Sequence, residues 1–179
     1  MARHIIVPTV IEAANTGAYA EKSVLPDDLD IELKLSRNEA LQPFFLVCQH
    51  DTVLIAMSGK GQVHFRQSSV SRFRYGAGDF IYVPAGTPHR IEPAEETIHY
   101  RYKLPESRLE AVAWFCDSCG SEIHRDTWEL EKEPSSVAFT RACAQFNDDA
   151  VRRTCQSCGV NHPTVDVSQM DWQSGVVPT

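Results

Sequence analysis

The chain contains no apolar run approaching the ~20 residues that a helix needs to cross a bilayer. A membrane is therefore not an expected partner. Its first residues, Met1-Ala2-Arg3-His4-Ile5-Ile6-Val7-Pro8, hold too short an apolar stretch for a signal peptide. The expected location is the reducing cytoplasm, where thiols stay free. There is also no basic excess. Lys and Arg number 17 against 24 Asp and Glu, a net charge of −7, which argues against nucleic acid as a partner because phosphate binding needs a basic face. Acidic segments such as Pro26-Asp27-Asp28-Leu29-Asp30 and Glu129-Leu130-Glu131-Lys132-Glu133 read as solvated surface. No internal repeat is visible.

What is present fits an ordinary globular protein. With 179 residues, 42% of them hydrophobic and 23% charged, the chain can bury one substantial core plus a small appendage. Residues 9–22 predict a short helix, with Val10, Ile11 and Ala14 as a weak apolar face. From about residue 30 the texture changes to strands. Ile31-Glu32-Leu33-Lys34-Leu35 alternates with period two, and Phe44-Phe45-Leu46-Val47-Cys48 is continuously apolar. Further strands are expected over 52–57, 62–65, 71–75, 80–83 and 97–103, separated by Gly and Pro punctuation. Short strands at this spacing indicate a sandwich or barrel, an all-β fold class.

Near Pro105 the character shifts to a small cysteine-bearing region. Trp128-Glu129-Leu130 reads there as a strand, and residues 137–146 as strand or helix. The expected organisation is an N-terminal extension over 1–29, a barrel over 30–104, a knuckle region over 105–163, and a tail over 164–179 with little reason to be ordered.

Two Cys-x-x-Cys pairs stand out, Cys116-Asp117-Ser118-Cys119 and Cys155-Gln156-Ser157-Cys158, each followed by a glycine. Each turn can present two thiolates to one ion, and the two together complete a tetrahedral sulfur site. Two disulfides or a thioredoxin-like redox pair are the competing readings, and the matched pair of motifs favours metal. Iron and zinc both accept four thiolates, so the ion is iron or zinc. Cys48 and Cys143 fall outside the set and read as small core residues.

Gly78-x5-Pro84-x-Gly86-x2-His89 matches the second motif of the cupins. Its glycines permit tight turns, Pro84 stiffens the entry, and His89 points into the barrel mouth. Gly59, in Gly59-Lys60-Gly61-Gln62-Val63, fits the closing glycine of the first cupin motif. The fold expected is a small cupin double-stranded β-helix barrel followed by a four-cysteine knuckle. The stretch that should supply the first motif's ligands, Pro43 to Thr52, has no His-x-His, and Thr52 stands where a Glu is expected.

The order of motifs resembles the bacterial 3-hydroxyanthranilate 3,4-dioxygenase family. The matching residues are Gly78-Asp79-Phe80-Ile81, Pro88-His89, Trp114 to Gly120, His124-Arg125, and Arg152-Arg153-Thr154-Cys155-Gln156-Ser157-Cys158-Gly159-Val160-Asn161-His162-Pro163. The resemblance implies a ring-cleaving oxidoreductase using Fe(II) and O2 on a small aromatic acid. It also implies a second, rubredoxin-like iron on Cys116, Cys119, Cys155 and Cys158, and a homodimer.

Members hold the catalytic iron with two His and one Glu. His89 matches the second His, but in an ungapped register Leu46 falls at the first His and Thr52 at the Glu. Gln42 and Pro93 fall at the substrate-gripping arginines, and Lys103 or Leu104 at the last-strand Glu. A shifted register offers His50 and Asp51 as metal ligands beside His89, although neighbours in a strand point to opposite faces. In the stretch His99-Tyr100-Arg101-Tyr102, one parity must face inward. An inward Arg101 would bind a carboxylate, and inward tyrosines would stack on a ring. His89, Arg101 and Tyr102 are thus the candidate catalytic residues, and Arg90 is a candidate anion contact at the mouth. Three readings stay open: an enzyme of altered chemistry on an aminophenol- or aminobenzoate-like acid, genuine Fe(II) ring cleavage through a rearranged ligand set, and a non-catalytic small-molecule-binding cupin.

Overall fold

The computed structural model describes residue 19, residues 21–25, 31–104 and 109–170, and residue 172. Among the described residues, eleven strands and two helices run in the order β1 (Glu21–Ser23), β2 (Glu32–Asn38), β3 (Phe45–Cys48), β4 (Thr52–Ser58), β5 (Lys60–Phe65), β6 (Arg72–Gly76), β7 (Phe80–Val83), β8 (His89–Pro93), β9 (Thr97–Lys103), β10 (Leu109–Phe115), β11 (Glu122–Glu129), α1 (Ser135–Asp148) and α2 (Ala150–Arg153). They form two sheets, ordered β1-β2-β9-β4-β7 and β11-β10-β3-β8-β5-β6. Neighbouring strands are antiparallel; β4 and β5 bury one parity of side chains, whereas β3 and β10 are covered on both faces. The all-β cupin fold class is the observed one.

One end of the sandwich is apolar. Leu54, Ala56, Val63, Phe65, Tyr75, Ile81, Val83 and Ile91 form a closed cluster there. The turn into β5 depends on Gly59, whose φ of +73° suits glycine; a Cβ there would sit 2.3 Å from the Glu96 carbonyl oxygen. The other end is covered by α1. Ala138, Phe139, Ala142, Cys143 and Phe146 recur at helical spacing and pack against Phe44, Leu46, Val112, Trp114 and Trp128.

Several expectations change. Of the predicted helix over 9–22, Val10, Ile11 and Ala14 lie outside the described residues, while Glu21 and Lys22 belong to β1. The change of texture near Pro105 is not a seam between sheets. β10 pairs with β3 and carries the barrel sheet onward to β11. Strand β8 was hidden in the sequence by Pro88 and Pro93 at its ends. The stretch 137–146 is helical throughout. The tail is ordered as far as it is described: Val165, Val167 and Met170 pack on the helix-side core, and Trp172 is buried with its Nε1 donating to the Tyr19 carbonyl at 3.2 Å.

Candidate functional site

The four cysteines of the two knuckles come together. Their Sγ atoms all lie within 4.8 Å of one another, with Cys116–Cys158 and Cys119–Cys155 each at 3.5 Å. A tetrahedron with metal–sulfur bonds of about 2.3 Å has edges of about 3.8 Å, whereas a disulfide would need about 2.05 Å. All six cysteines are free, and the donor set fits one thiophilic ion.

The two knuckles repeat one backbone design. The Gly120 N–H donates to the Cys116 carbonyl at 2.8 Å, and the Gly159 N–H to the Cys155 carbonyl at 2.8 Å. The Cys116 and Cys155 N–H groups in turn donate to Ser121 and Val160 at 2.8 and 2.9 Å. Both glycines have positive φ, +76° and +74°, which lets each loop curl back over its sulfurs. Hydrogen bonding from Ser121 holds the Cys119 thiol down at about 6. At Cys158 a backbone bond from Val160 lowers the thiol, but Cys116 and Cys119 push it up to about 12, so a metal would displace protons from the cluster. The site is anchored from below by Trp114, whose ring stacks on Phe146 at 4.1 Å and whose Nε1 donates to the Pro43 carbonyl at 2.9 Å.

Inside the barrel the chemistry is different. On β9, Thr97, His99, Arg101 and Lys103 point inward and are all buried, so Tyr100 and Tyr102 take the outer face. His89 is fully buried. Its Nδ1 lies 3.1 Å from the Thr87 carbonyl and donates to it, which leaves Nε2 as the acceptor for Arg101 Nη1 at 2.7 Å. Arg101 Nε donates to Glu21 at 2.8 Å. The network continues from Glu21 to Lys34 at 3.8 Å, from Lys34 to Ser135 at 3.5 Å, and from Ser135 to Glu110 at 2.7 Å; Glu110 also pairs with the fully buried Lys103.

Burial, with the Arg101 charge, holds the His89 imidazole down at about 3, so it is neutral at pH 7. Burial opposes ionisation of Glu21, but Arg101 and then Lys34 outweigh it and hold the carboxyl at about 2. Burial and the Lys34 charge lower Lys103 to about 8.

A Fe(II) centre does not fit this interior. The imidazole nitrogen that would face a metal accepts a hydrogen bond from Arg101, and an arginine cannot give up its charge to make room. Leu46 sits directly across the β3–β8 ladder from His89, and Thr52 directly across from Lys103 on β9. An alkyl group, a hydroxyl and an ammonium therefore occupy the neighbourhood where ligands would be needed.

The remaining predicted residues scatter. Asp51 is exposed and caps a turn, accepting from Ala85 N at 2.9 Å and bonding Tyr82. His50 is half-buried beside it. The structure does not gather His50 and Asp51 with His89: among the described residues only the four cysteines form a group able to hold an ion. The physical reason is that 49–51 is the connection between β3 and β4, beyond the strand that carries Leu46 inward. Tyr102 is half-buried on the outer face and does not reach His89's side of the sheet. Cys48 and Cys143 are buried, and burial pushes the Cys143 thiol up to about 12. Gln42, fully buried, accepts from Ile91 N at 2.9 Å instead of reaching a ligand.

Sequence reasoning missed Glu21, Lys34, Glu110 and Ser135 altogether. The available signal was the unbroken polar parity Thr97-His99-Arg101-Lys103, because an inward row of that kind demands buried counter-charges.

The profile of the AraC-like ligand binding domain matches residues 44–157. The chain belongs to that family. Within the AraC-like ligand binding domain family, it is related to the 3-hydroxyanthranilate 3,4-dioxygenases, as the motif order implied. It is 32% identical to the Bacillus thuringiensis enzyme over 84 residues, 46% of this chain and 46% of that protein. The chain spans about half the length of the curated relatives it matches in this way. A longer match, 23% identical over 167 residues, covers 90% of this chain and 85% of the 3-hydroxyanthranilate 3,4-dioxygenase of a Jannaschia species. Among solved structures, hydroquinone 1,2-dioxygenase from a Sphingomonas species with 4-hydroxybenzoate bound superposes with a TM-score of 0.47 at 17% identity, covering 51% of this chain and 69% of that one. Among the described residues no helix is long and apolar enough to cross a membrane.

Proposed function

We propose that this chain is a cupin metalloprotein that binds a small aromatic acid of the aminophenol- or aminobenzoate-carboxylate kind. It holds one iron or zinc ion on Cys116, Cys119, Cys155 and Cys158, and it does not perform Fe(II)-dependent ring cleavage in the barrel. The observation that carries this reading is the 2.7 Å hydrogen bond from Arg101 to His89 Nε2, which occupies the ligand lone pair a catalytic iron would need. The ligand class is supported by the kinship with proteins named for an aromatic acid. The ion on the cysteines supplies a fixed charge that locks the two knuckles together and does no redox step in this account. A cytoplasmic homodimer is part of the same proposal; free thiols are consistent with a reducing location.

A second reading, turnover of such an acid by chemistry other than ring opening, is favoured by the kinship with enzymes and predicts product from a candidate acid without oxygen uptake. The deciding experiment combines a metal count with an oxygen electrode. Wild type and His89→Gln are expected to carry a single ion per chain, and Cys116→Ser none. Oxygen uptake with aminophenol carboxylates and added Fe(II) should stay at the protein-free rate. A second ion that disappears in His89→Gln, together with oxygen uptake, would sink the proposal and restore ring cleavage.

A further inference from the structure

Outside the barrel interior, a cavity of about 410 Å³ opens between the barrel rim and the cysteine knuckle. This lies within the range of about 300–1,000 Å³ usual for small-molecule sites. Its aromatic wall draws on two clusters, Phe44 with Trp114 and Phe45 with Phe115. Arg90, which follows His89 on β8 and so points to the opposite face, lies in that wall with its guanidinium carbon 4.6 Å from the Phe45 ring centre. Its Nε is buried and has no hydrogen-bond partner among the described residues. A buried guanidinium N–H without an acceptor costs free energy that a ligand oxygen would recover. The Phe45 ring face holds the Arg90 cation in the wall, and its guanidinium fork has the donor pattern that suits a carboxylate. The facing rim comes from the knuckles: Asp117 lies between Cys116 and Cys119, and His162 donates its backbone N–H to Arg153 at 2.8 Å just beyond Cys158.

We infer that this cavity binds a planar carboxylic acid, with its carboxylate on Arg90 and its ring against the aromatic wall, and that the knuckle ion holds the cavity in shape. The inference rests on the reading of the chain as a binder of small aromatic acids and places that ligand outside the sealed barrel interior. The coupling has a direct structural cause. Phe115 and Asp117 flank Cys116, and the bridge between Thr154 and Asn161 that precedes His162 encloses Cys155 and Cys158. Releasing the ion frees the rim on both sides of the ligand. By linkage, a ligand that needs the rim must also tighten binding of the ion, and an acid that holds both knuckles closed over the ion slows its escape.

The test uses the metal-loaded protein with benzoate and 2-aminobenzoate as probes and benzamide as the uncharged control, read by calorimetry. The acids are expected to bind and benzamide to bind at least about tenfold more weakly, the loss typical of a charge-assisted hydrogen bond. Arg90→Gln should weaken the acids by a similar factor and leave benzamide unchanged. In a second readout, transfer of the ion to a chromogenic chelator should slow several-fold when wild type is saturated with acid, and not in Arg90→Gln. Should Arg90→Gln fail to fold, Arg90→Lys, the acid-against-amide ratio and the chelator rate on wild type carry the decision. Acid binding at wild-type strength in Arg90→Gln, or a chelator rate indifferent to acid, would overturn the site while leaving the aromatic-acid reading intact. No binding of either acid to wild type would overturn both.

Discussion

At the knuckle, four sulfur atoms converge with their lone pairs facing one another; inside the barrel, the lone pair of His89 already has an arginine proton aimed at it. Both regions gather polar groups around a point, but they balance charge differently. The cysteines offer four converging sulfur donors, a set that suits a cation. The interior sets three cations, Arg101, Lys34 and Lys103, against three carboxylates, Glu21, Glu32 and Glu110, so it is neutralised by its own side chains. A site that neutralises itself has little affinity left for an ion. The interior thus keeps the cupin glycine turns and His89 while satisfying the imidazole with Arg101. His89 has become an acceptor that orients Arg101.

The largest effect is expected from removing the interior's positive charge. Arg101→Met leaves Glu21 buried without its main partner and should cost about 3–5 kcal/mol, the usual penalty for breaking a buried pair from one side. Urea unfolding measures it. Combining Arg101→Met with Glu21→Gln should recover part of that loss, because no charge is then stranded. If Arg101→Met proves neutral, the pair is not the interior's support. If it instead creates a second metal site at His89, the arginine is a plug over a latent centre.

A gentler perturbation is pH. The folded state holds His89 at about 3 and His99 at about 4, in each case first through burial and then through the Arg101 charge. Both values lie below the ordinary histidine value of about 6.5, so the unfolded chain binds more protons in this window and stability must fall as pH falls. The loss starts near 6.5 and continues through the two folded values, with a limiting slope of about 1.4 kcal/mol per pH unit for each histidine. Glu21, held at about 2, adds loss in the same direction only below the ordinary carboxylate range. Between pH 6.5 and 5 the histidines therefore act ahead of this carboxylate. Urea midpoints across that interval should decline in wild type and decline less steeply in His89→Gln. Equal slopes would mean that His89 is not the buried neutral group described here.

The two regions also differ in how far their sequence reveals them. The knuckle is legible because its geometry is local: two residues between cysteines and a glycine after them already dictate a loop folded over two sulfurs, and only the meeting of the two loops is long-range. The barrel strands are legible for the same reason, as alternation over a few residues. The interior network is not. Both parities of His99-Tyr100-Arg101-Tyr102 offer plausible inward faces, and the choice is made elsewhere. Val24 and Leu35 cover the outer face with Ile98 and Tyr100, which sends Arg101 inward. Arg101's partner Glu21 lies 80 positions away in the chain, in a stretch whose pattern reads as helical. No local pattern encodes that pairing. Pro88 and Pro93 likewise mark turns and hide β8, although Gln42 is held to that strand through Ile91.

The smallest effect is expected at the rearranged ligand set that the sequence allows. Asp51 and Tyr82 share a hydrogen bond at the surface, first among the causes that lower the Asp51 carboxyl and raise the Tyr82 phenol. Such an exposed contact is screened and competes with water. His50→Ala and Asp51→Asn should therefore leave the ion count per chain unchanged and shift the urea midpoint by less than any substitution at Arg101. The motif-like spacing of His50 and Asp51 before Thr52 has the residue types of a metal site without their convergence, whereas the knuckles have both. Loss of an ion in either variant, measured by elemental analysis beside Cys116→Ser, would show that the barrel rim takes part in metal binding after all.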